Sequence, residues 1–220
     1  ILPPDTKSAL QRNCIDMLAY AELYRANHIP LRRGIVLHGP PGTGKTSIGR
    51  MLARQCKATF ILCTPGMLEE PDDVRRAFKW ARRFAPSILF FEDVDMVAGN
   101  RHQGGRSSVL GEFLSGLDGM DSTGGVITIA TTNDLRSIES ALKDRPNRFD
   151  CILEVGPLPK EQRVEFLEVW SKRNVTANAE PVHRFNVERV AIAAHQFTGA
   201  QMIADQQTHK LPADWAATTT

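Results

Sequence analysis

The sequence predicts an α/β fold, a mostly parallel five-stranded sheet flanked by helices, followed by a small all-helical domain. Three observations lead there. Short apolar runs of strand length alternate with amphipathic helical stretches up to about residue 155. A glycine-rich stretch, Gly39 to Thr46, stands between the first of those runs and the helical pattern after it. Beyond Gly156-Pro157-Leu158-Pro159 the chain reads as helix only.

Taken in order, a first helical region covers about residues 6–27, with Ala9, Ile15, Leu18, Ala19 and Leu23 along one side. Strands are predicted at 34–38, 59–63, 87–91, 126–131 and 151–155, each a compact apolar run. Helices are predicted between them at 46–56, 73–84 and about 107–117. The 73–84 helix is preceded by Glu70-Pro71-Asp72-Asp73, acids and a proline suited to a helix N-terminus. In the last part, 161–173 carries Val164, Leu167 and Trp170 at helical spacing, and helices at 187–195 and 198–208 follow. The predicted domains are therefore 1–156 and 157–210, with 211–220 a disordered tail or foreign remnant.

Composition narrows the function classes. At 220 residues the chain can form one good core with a small satellite. A net charge of +2 argues against a dedicated nucleic-acid binder. No apolar run approaches membrane-spanning length. The start, Ile-Leu-Pro-Pro, lacks Met and a signal-peptide layout, and reads as a cut from a longer protein. Cys14, Cys56, Cys63 and Cys151 form no CxxC pair, and the six histidines form no HExxH set. Packing thiols in a cytoplasmic or other reducing compartment fit that pattern better than disulfides or zinc.

The chemistry starts at Gly39-Pro40-Pro41-Gly42-Thr43-Gly44-Lys45-Thr46, which satisfies GxxxxGK[ST] after a strand and before a helix that Thr46 and Ser47 open. Glycines there let backbone N–H groups turn inward around phosphates, and the helix N-terminus adds partial positive charge. Lys45 reaches the terminal phosphates and the Thr46 hydroxyl joins a magnesium shell. Such a site needs an acid on an adjacent strand to hold the metal and a base to orient water. Ser87-Ile-Leu-Phe-Phe-Glu92-Asp93 supplies adjacent carboxylates at a strand end. The fold expectation thus becomes a P-loop NTPase-type sheet.

Later motifs point to a family. Val126–Ala130 runs into Thr131-Thr132-Asn133, and Arg145-Pro-Asn-Arg148-Phe-Asp150 comes after it. With GPPGTGKT and the helical tail, the chain from about Leu18 to Gln206 resembles the AAA ATPases, a subgroup of the AAA+ superfamily. That resemblance implies an ATPase using ATP and Mg2+, with Gly39 to Thr46 as Walker A and Leu89 to Asp93 as Walker B. Glu92 would be the magnesium-side carboxylate with Thr46, and Asp93 the base. Asn133 would be sensor 1, and Arg148 an arginine finger acting on a neighbouring subunit's ATP. Arg145 has two readings, a second catalytic arginine or a partner of an acid. Phe197-Thr198-Gly199-Ala200 resembles the family's lid motif, which would put Gly199 and Ala200 near the nucleotide, and the helical domain would be the lid. Trp170 either stacks on the base or packs in the lid core. The implied protein is a homo-oligomeric ring, hexameric as is usual in the family, that couples hydrolysis to remodelling a protein or complex outside this module.

Three departures from the family pattern stand out. The carboxylates run Glu92-Asp93 where Asp-Glu is usual, which shortens the implied base by a methylene. Mitochondrial AAA translocases that assemble respiratory complex III resemble this order, which favours an active enzyme. Cys151 stands where a second arginine finger is usual, and a thiol carries no fixed positive charge. The segment 63–73 lacks the aromatic-glycine loop of protein-threading relatives, leaving Met67 and Leu68 as its apolar residues. The basic, glycine-rich stretch 99–106 reads either as a partner-touching loop or as a solvated one. A nucleotide-gated scaffold or switch with little hydrolysis is therefore the alternative function, and nucleic-acid motors are disfavoured by the weak charge.

Overall fold

The computed structural model of the chain describes residues 1–98, 107–119, 125–136, 138, 149–175, 188, 191–192, 194 and 197–202. They divide into two compact units, one made of Ser8–Gly39 and Lys45–Val155, the other drawn from Ile1–Lys7, Pro40–Gly44 and Gly156–Thr220.

The first unit carries a parallel five-stranded sheet. Its strands are β1 (Arg32–His38), β2 (Thr59–Cys63), β3 (Ser87–Phe91), β4 (Val126–Thr132) and β5 (Cys151–Glu154), in the order β2-β3-β4-β1-β5. The predicted strands are all present, with β1 starting two residues earlier than expected, at Arg32. Every residue of the central strands β3 and β4 is buried, which is why both read as mainly apolar runs without polar alternation. The edge strand β2 leaves Thr59 and Leu62 exposed. Register decides which polar residues meet. His38 pairs with Thr132, and Phe91 with Ala130, so the residues after β1, β3 and β4 emerge together at one sheet edge.

The first helical region is not one helix. It divides into α1 (Pro4–Leu10), a π-helical turn (Gln11–Asp16), α2 (Met17–Ala19) and α3 (Ala21–Ala26). Leu10, Cys14, Met17, Leu18 and Ala21 are buried, while Ala19 and Leu23 are exposed and Ile15 is half-buried. The wider π turn and the non-helical Tyr20 (φ −102°, ψ 24°) break the single apolar face that α-helical spacing predicts.

Helices α4 (Lys45–Gln55), α5 (Pro71–Arg83), α6 (Val94–Ala98) and α7 (Ser107–Asp118) complete the unit. The α5 N-terminus is held by Asp73, whose carboxylate accepts the N–H groups of Glu70 (2.9 Å) and Glu69 (3.1 Å). Those hydrogen bonds, above all the one from Glu70, draw the Asp73 pKa down. The helix starts two residues before its predicted position, with Pro71 in its first turn. Under α5 and α7 lies an aromatic cluster. Phe113 meets Phe91 edge-on (4.9 Å between centroids) and also approaches Phe78 (6.3 Å) and Phe149 (6.2 Å).

In the second unit, helix α8 (Lys160–Val175) buries Leu167 against Ala191, with Val164 and Phe166 alongside. Arg163 is buried on the same helix. Its guanidinium donates to the carbonyls of Ala191 (Nε, 2.8 Å) and Leu158 (Nη1, 2.6 Å), joining the helix to both flanking segments. Trp170 is half-buried. Of the two last predicted helices, residues 188, 191–192 and 199–202 are helical, 194 lies in a turn, 198 precedes the helical stretch, and the remainder lies outside the described residues, as does the tail.

Phe113→Ala should destabilise the sheet-bearing unit by about 3–5 kcal/mol, because it leaves a cavity touched by three other rings. Urea denaturation followed by circular dichroism measures this, and a loss below about 1 kcal/mol contradicts the cluster's role.

Candidate active site

The glycine-rich loop leaves β1 through Gly39, whose N–H donates to Thr132 O (3.3 Å). Gly39 has φ +152°, and a Cβ there would stand 2.2 Å from Val155 O, so no larger residue fits. Thr43 closes the loop by donating its hydroxyl to Pro40 O (2.9 Å). Gly42 has φ +79°, and an added Cβ would come within 2.8 Å of Thr198 Oγ1. Pro40 and Pro41 are exposed, and Gly44 also has positive φ, at +98°.

Thr198 is the N-cap of the short helical stretch at 199–202. Its N–H donates to Gln201 Oε1 (2.8 Å) while the Gln201 N–H donates to Thr198 Oγ1 (3.3 Å), a reciprocal capping box. The capped turn leaves the Ala200 N–H to donate to Gly42 O (3.3 Å), with Gly199 beside it.

Lys45 opens α4 and is buried. Its ammonium donates to Gly39 O (2.7 Å) and Asn133 Oδ1 (2.9 Å). Burial lowers its pKa, and the charges of Asp93 and Asp95 oppose that shift. Thr46 and Ser47 are exposed on the first turn of α4.

After β3, the Glu92 N–H donates to Cys63 O (2.8 Å), and Glu92 Oε1 is buried without a hydrogen-bond partner among the described residues. Asp93 adopts a left-handed backbone, φ 44°, and its N–H donates to Thr131 Oγ1 (3.0 Å). Asn133 follows β4 and sits between the other two strand ends. Its Nδ2 donates to Asp93 Oδ1 (3.4 Å), its Oδ1 accepts from Lys45, and its N–H donates to Asp95 Oδ1 (3.2 Å). Burial raises the Asp93 pKa, the neighbouring charges of Asp95 and Glu92 add to the rise, and Lys45 and Asn133 oppose it.

The structure therefore brings Lys45, Asn133 and Asp93 into one hydrogen-bonded chain, with Glu92 on the same strand end as Asp93. Arg148 and Arg145 lie outside the described residues, as does the 99–106 stretch. Of the two apolar residues in the shortened loop, Met67 is exposed but Leu68 belongs to the core. Cys151 is half-buried in β5, paired in register with Ile35. Three further residues shape the region. Asp150 accepts from the Gly34 N–H (2.8 Å) and from Arg33 (3.3 Å), fastening β5 to β1. Asp95 and Thr131 hold Asn133 and Asp93, and their signals in the sequence are only an acid at a helix start and a doubled threonine.

These residues fit a nucleotide phosphate and its magnesium. A buried carboxylate oxygen without a partner suits a metal-bound water, and the Lys45 ammonium donates to a carbonyl and an amide oxygen that a phosphate oxygen can replace. No group of three or more His, Cys, Asp or Glu among the described residues is arranged to hold a metal alone. Magnesium at phosphates needs no such cage, because phosphate oxygens and water fill most of its shell.

Comparison with known proteins places the chain. The family model described as "ATPase family associated with various cellular activities (AAA)" matches residues 35–157. The chain is 35% identical to a cell division cycle protein 48 homolog of Archaeoglobus fulgidus, over 89% of this chain and 27% of that protein. It is 36% identical to the proteasome-activating nucleotidase of Aeropyrum pernix, over 83% of this chain and 46% of that protein. An ATP-dependent zinc metalloprotease FtsH of Ureaplasma parvum is 32% identical over 86% of this chain and 26% of its own length. The chain thus spans between about a quarter and a half of these relatives. It belongs to the AAA family and is an AAA ATPase module.

Proposed function

We propose that this module hydrolyses Mg-ATP within a homo-oligomeric ring, a hexamer as the resemblance implies, and uses the cycle to remodel a protein or protein complex. The observation that carries the reading is the hydrogen-bonded chain from Lys45 through Asn133 to Asp93, since it joins a phosphate-binding cation to a candidate base. In this reading Gly39 to Gly44 wrap the phosphates, Lys45 binds the terminal ones, and Ser47 lies beside them on the first turn of α4. Thr46 and Glu92 hold magnesium, which supplies positive charge to phosphoryl oxygens as charge builds in the transition state. Asp93 accepts a proton from the attacking water, and Asn133 orients that water through its amide. Gly199 and Ala200 border the nucleotide from the helical segment, and Arg148 serves the site of the next subunit. Residues 157–210 form the lid domain in this scheme.

The substrate is taken to be protein. The similarity to a proteasome-activating nucleotidase and to an ATP-dependent metalloprotease supports that class. The net charge of +2 gives no support to a nucleic-acid substrate. No described helix is long and apolar enough to cross a membrane. All four cysteines are unpaired thiols, which suits a reducing compartment.

Asp93→Asn should keep ATP affinity and lower turnover roughly 10²–10⁴-fold, the usual contribution of a general base. Asn also tolerates the left-handed backbone, so folding should be preserved. Turnover by coupled assay beside binding of a fluorescent ATP analogue measures both, and normal hydrolysis by Asp93→Asn refutes the assignment. Lys45→Ala should lose binding as well.

The ring reading has its own check. Arg148→Ala chains and Lys45→Ala chains should each be nearly inactive, with the arginine worth roughly 10³–10⁵ in rate. Mixed, they should recover turnover, because a Lys45→Ala subunit can lend Arg148 to a neighbour that binds ATP. If mixing restores nothing while each variant still assembles, the in-trans role fails. Cys151, at the position of a usual second arginine, favours the switch reading to one extent: wild-type turnover no higher than Lys45→Ala, at concentrations that assemble the ring, would establish it.

A further inference from the structure

Asp93 is one of two non-glycine residues among the described ones with positive φ, the other being His28 in a turn. A left-handed residue relaxes unless its surroundings hold it, and such strain collects at functional sites. The holding contacts run across two strand ends. The Asp93 N–H donates to Thr131 Oγ1 (3.0 Å), and the Asn133 N–H donates in return to Asp95 Oδ1 (3.2 Å). Each segment thus presents a backbone donor to a side chain of the other. Thr131 lies in β4 and is buried, so its hydroxyl is carried by a fully buried central strand. Asp95, by contrast, sits on the short helix α6 and is half-buried.

We propose that Thr131 is a positioning residue for hydrolysis, its hydroxyl holding Asp93 in the left-handed conformation that aims the carboxylate beside the Asn133 amide. The inference rests on Asp93 acting as the base. Without the hydroxyl, the Asp93 N–H loses its acceptor and the residue can turn towards an ordinary backbone. Its carboxylate then leaves the Asn133 amide, 3.4 Å away in the structure. Misplacement of about 1 Å at a reacting group costs roughly a hundredfold in rate. Thr131 is buried, so valine, of the same shape, keeps the packing and isolates the hydroxyl.

The experiment compares Thr131→Val and Thr131→Ser in the 220-residue chain. Amide exchange of the nucleotide-free protein, resolved at residue 93, reads the hydrogen bond directly. Thr131→Val should speed exchange there by roughly tenfold, and Thr131→Ser should leave it near wild type. Steady-state assays should show kcat down roughly ten- to hundredfold for Thr131→Val, with ATP-analogue affinity and Tm kept, and restored by Thr131→Ser. The proposal is overturned if Thr131→Val turns over as wild type, if exchange at residue 93 is unchanged, or if serine fails as badly as valine. It is also overturned if kcat, affinity and stability fall together, which marks a packing role. Asp93→Asn separates the layers. An inactive Asp93→Asn with a fully active Thr131→Val sinks this inference alone, whereas an active Asp93→Asn sinks the base assignment beneath it.

Discussion

Parallel pairing of β4 with both β1 and β3 sets where every polar group of the site stands. Because β4 is central, Asn133 at its end has a strand end on either side, Gly39 beyond β1 and Glu92-Asp93 beyond β3. Side chains alternate across a strand, so a slip of one residue would turn Thr131 to the opposite face and carry Asn133 away from Lys45. Complete burial of β3 and β4 makes such a slip costly. The apolar run Ser87–Phe91 and the aromatic cluster of Phe78, Phe91 and Phe113 therefore act on chemistry they never touch. Precision at the polar edge is a consequence of packing two layers below it.

Electrostatics at that edge follows from one buried cation among three acids. Lys45 is enclosed and hydrogen-bonds the Gly39 carbonyl and the Asn133 amide oxygen. Asn133 stands between Lys45 and Asp93, accepting from the ammonium and donating to the carboxylate. An amide can do both at once, since it carries an acceptor and two donors with no net charge. The same spacing leaves Asp93 in company with Asp95 and Glu92, and burial with this like charge raises its pKa.

Much of the fold and site is legible in the sequence, and the reason differs from one element to the next. The strands are readable because buried parallel strands are apolar throughout and turn residues bound them. The loop Gly39 to Thr46 is readable because its geometry demands glycine, as at Gly39 and Gly42, where a Cβ has no space. Asn133 comes from its place after an apolar strand together with the family resemblance. The buried face of the first helical region is not legible, because a π turn leaves no compositional mark and shifts the periodicity by its own width. The hydrogen bonds of Thr131, Asp95 and Asp150 escape notice for a common reason. Each acts through a hydrogen bond to backbone on another strand, and such a partner is invisible until the register is known.

The reversed order Glu92-Asp93 looks different once the backbone at position 93 is known. A left-handed conformation is unfavourable for most residues with a Cβ, but aspartate and asparagine enter it several-fold more readily than others. Glutamate lacks that tolerance, because its longer chain cannot make the local hydrogen bonds that offset the strain. With φ 44° at this position, aspartate is the carboxylate that the backbone accepts. The N–H of that residue is held by the Thr131 hydroxyl on the neighbouring strand. The aspartate at 93 and the threonine at 131 thus meet in one hydrogen bond. The shorter side chain and the unusual backbone each make sense in view of the other.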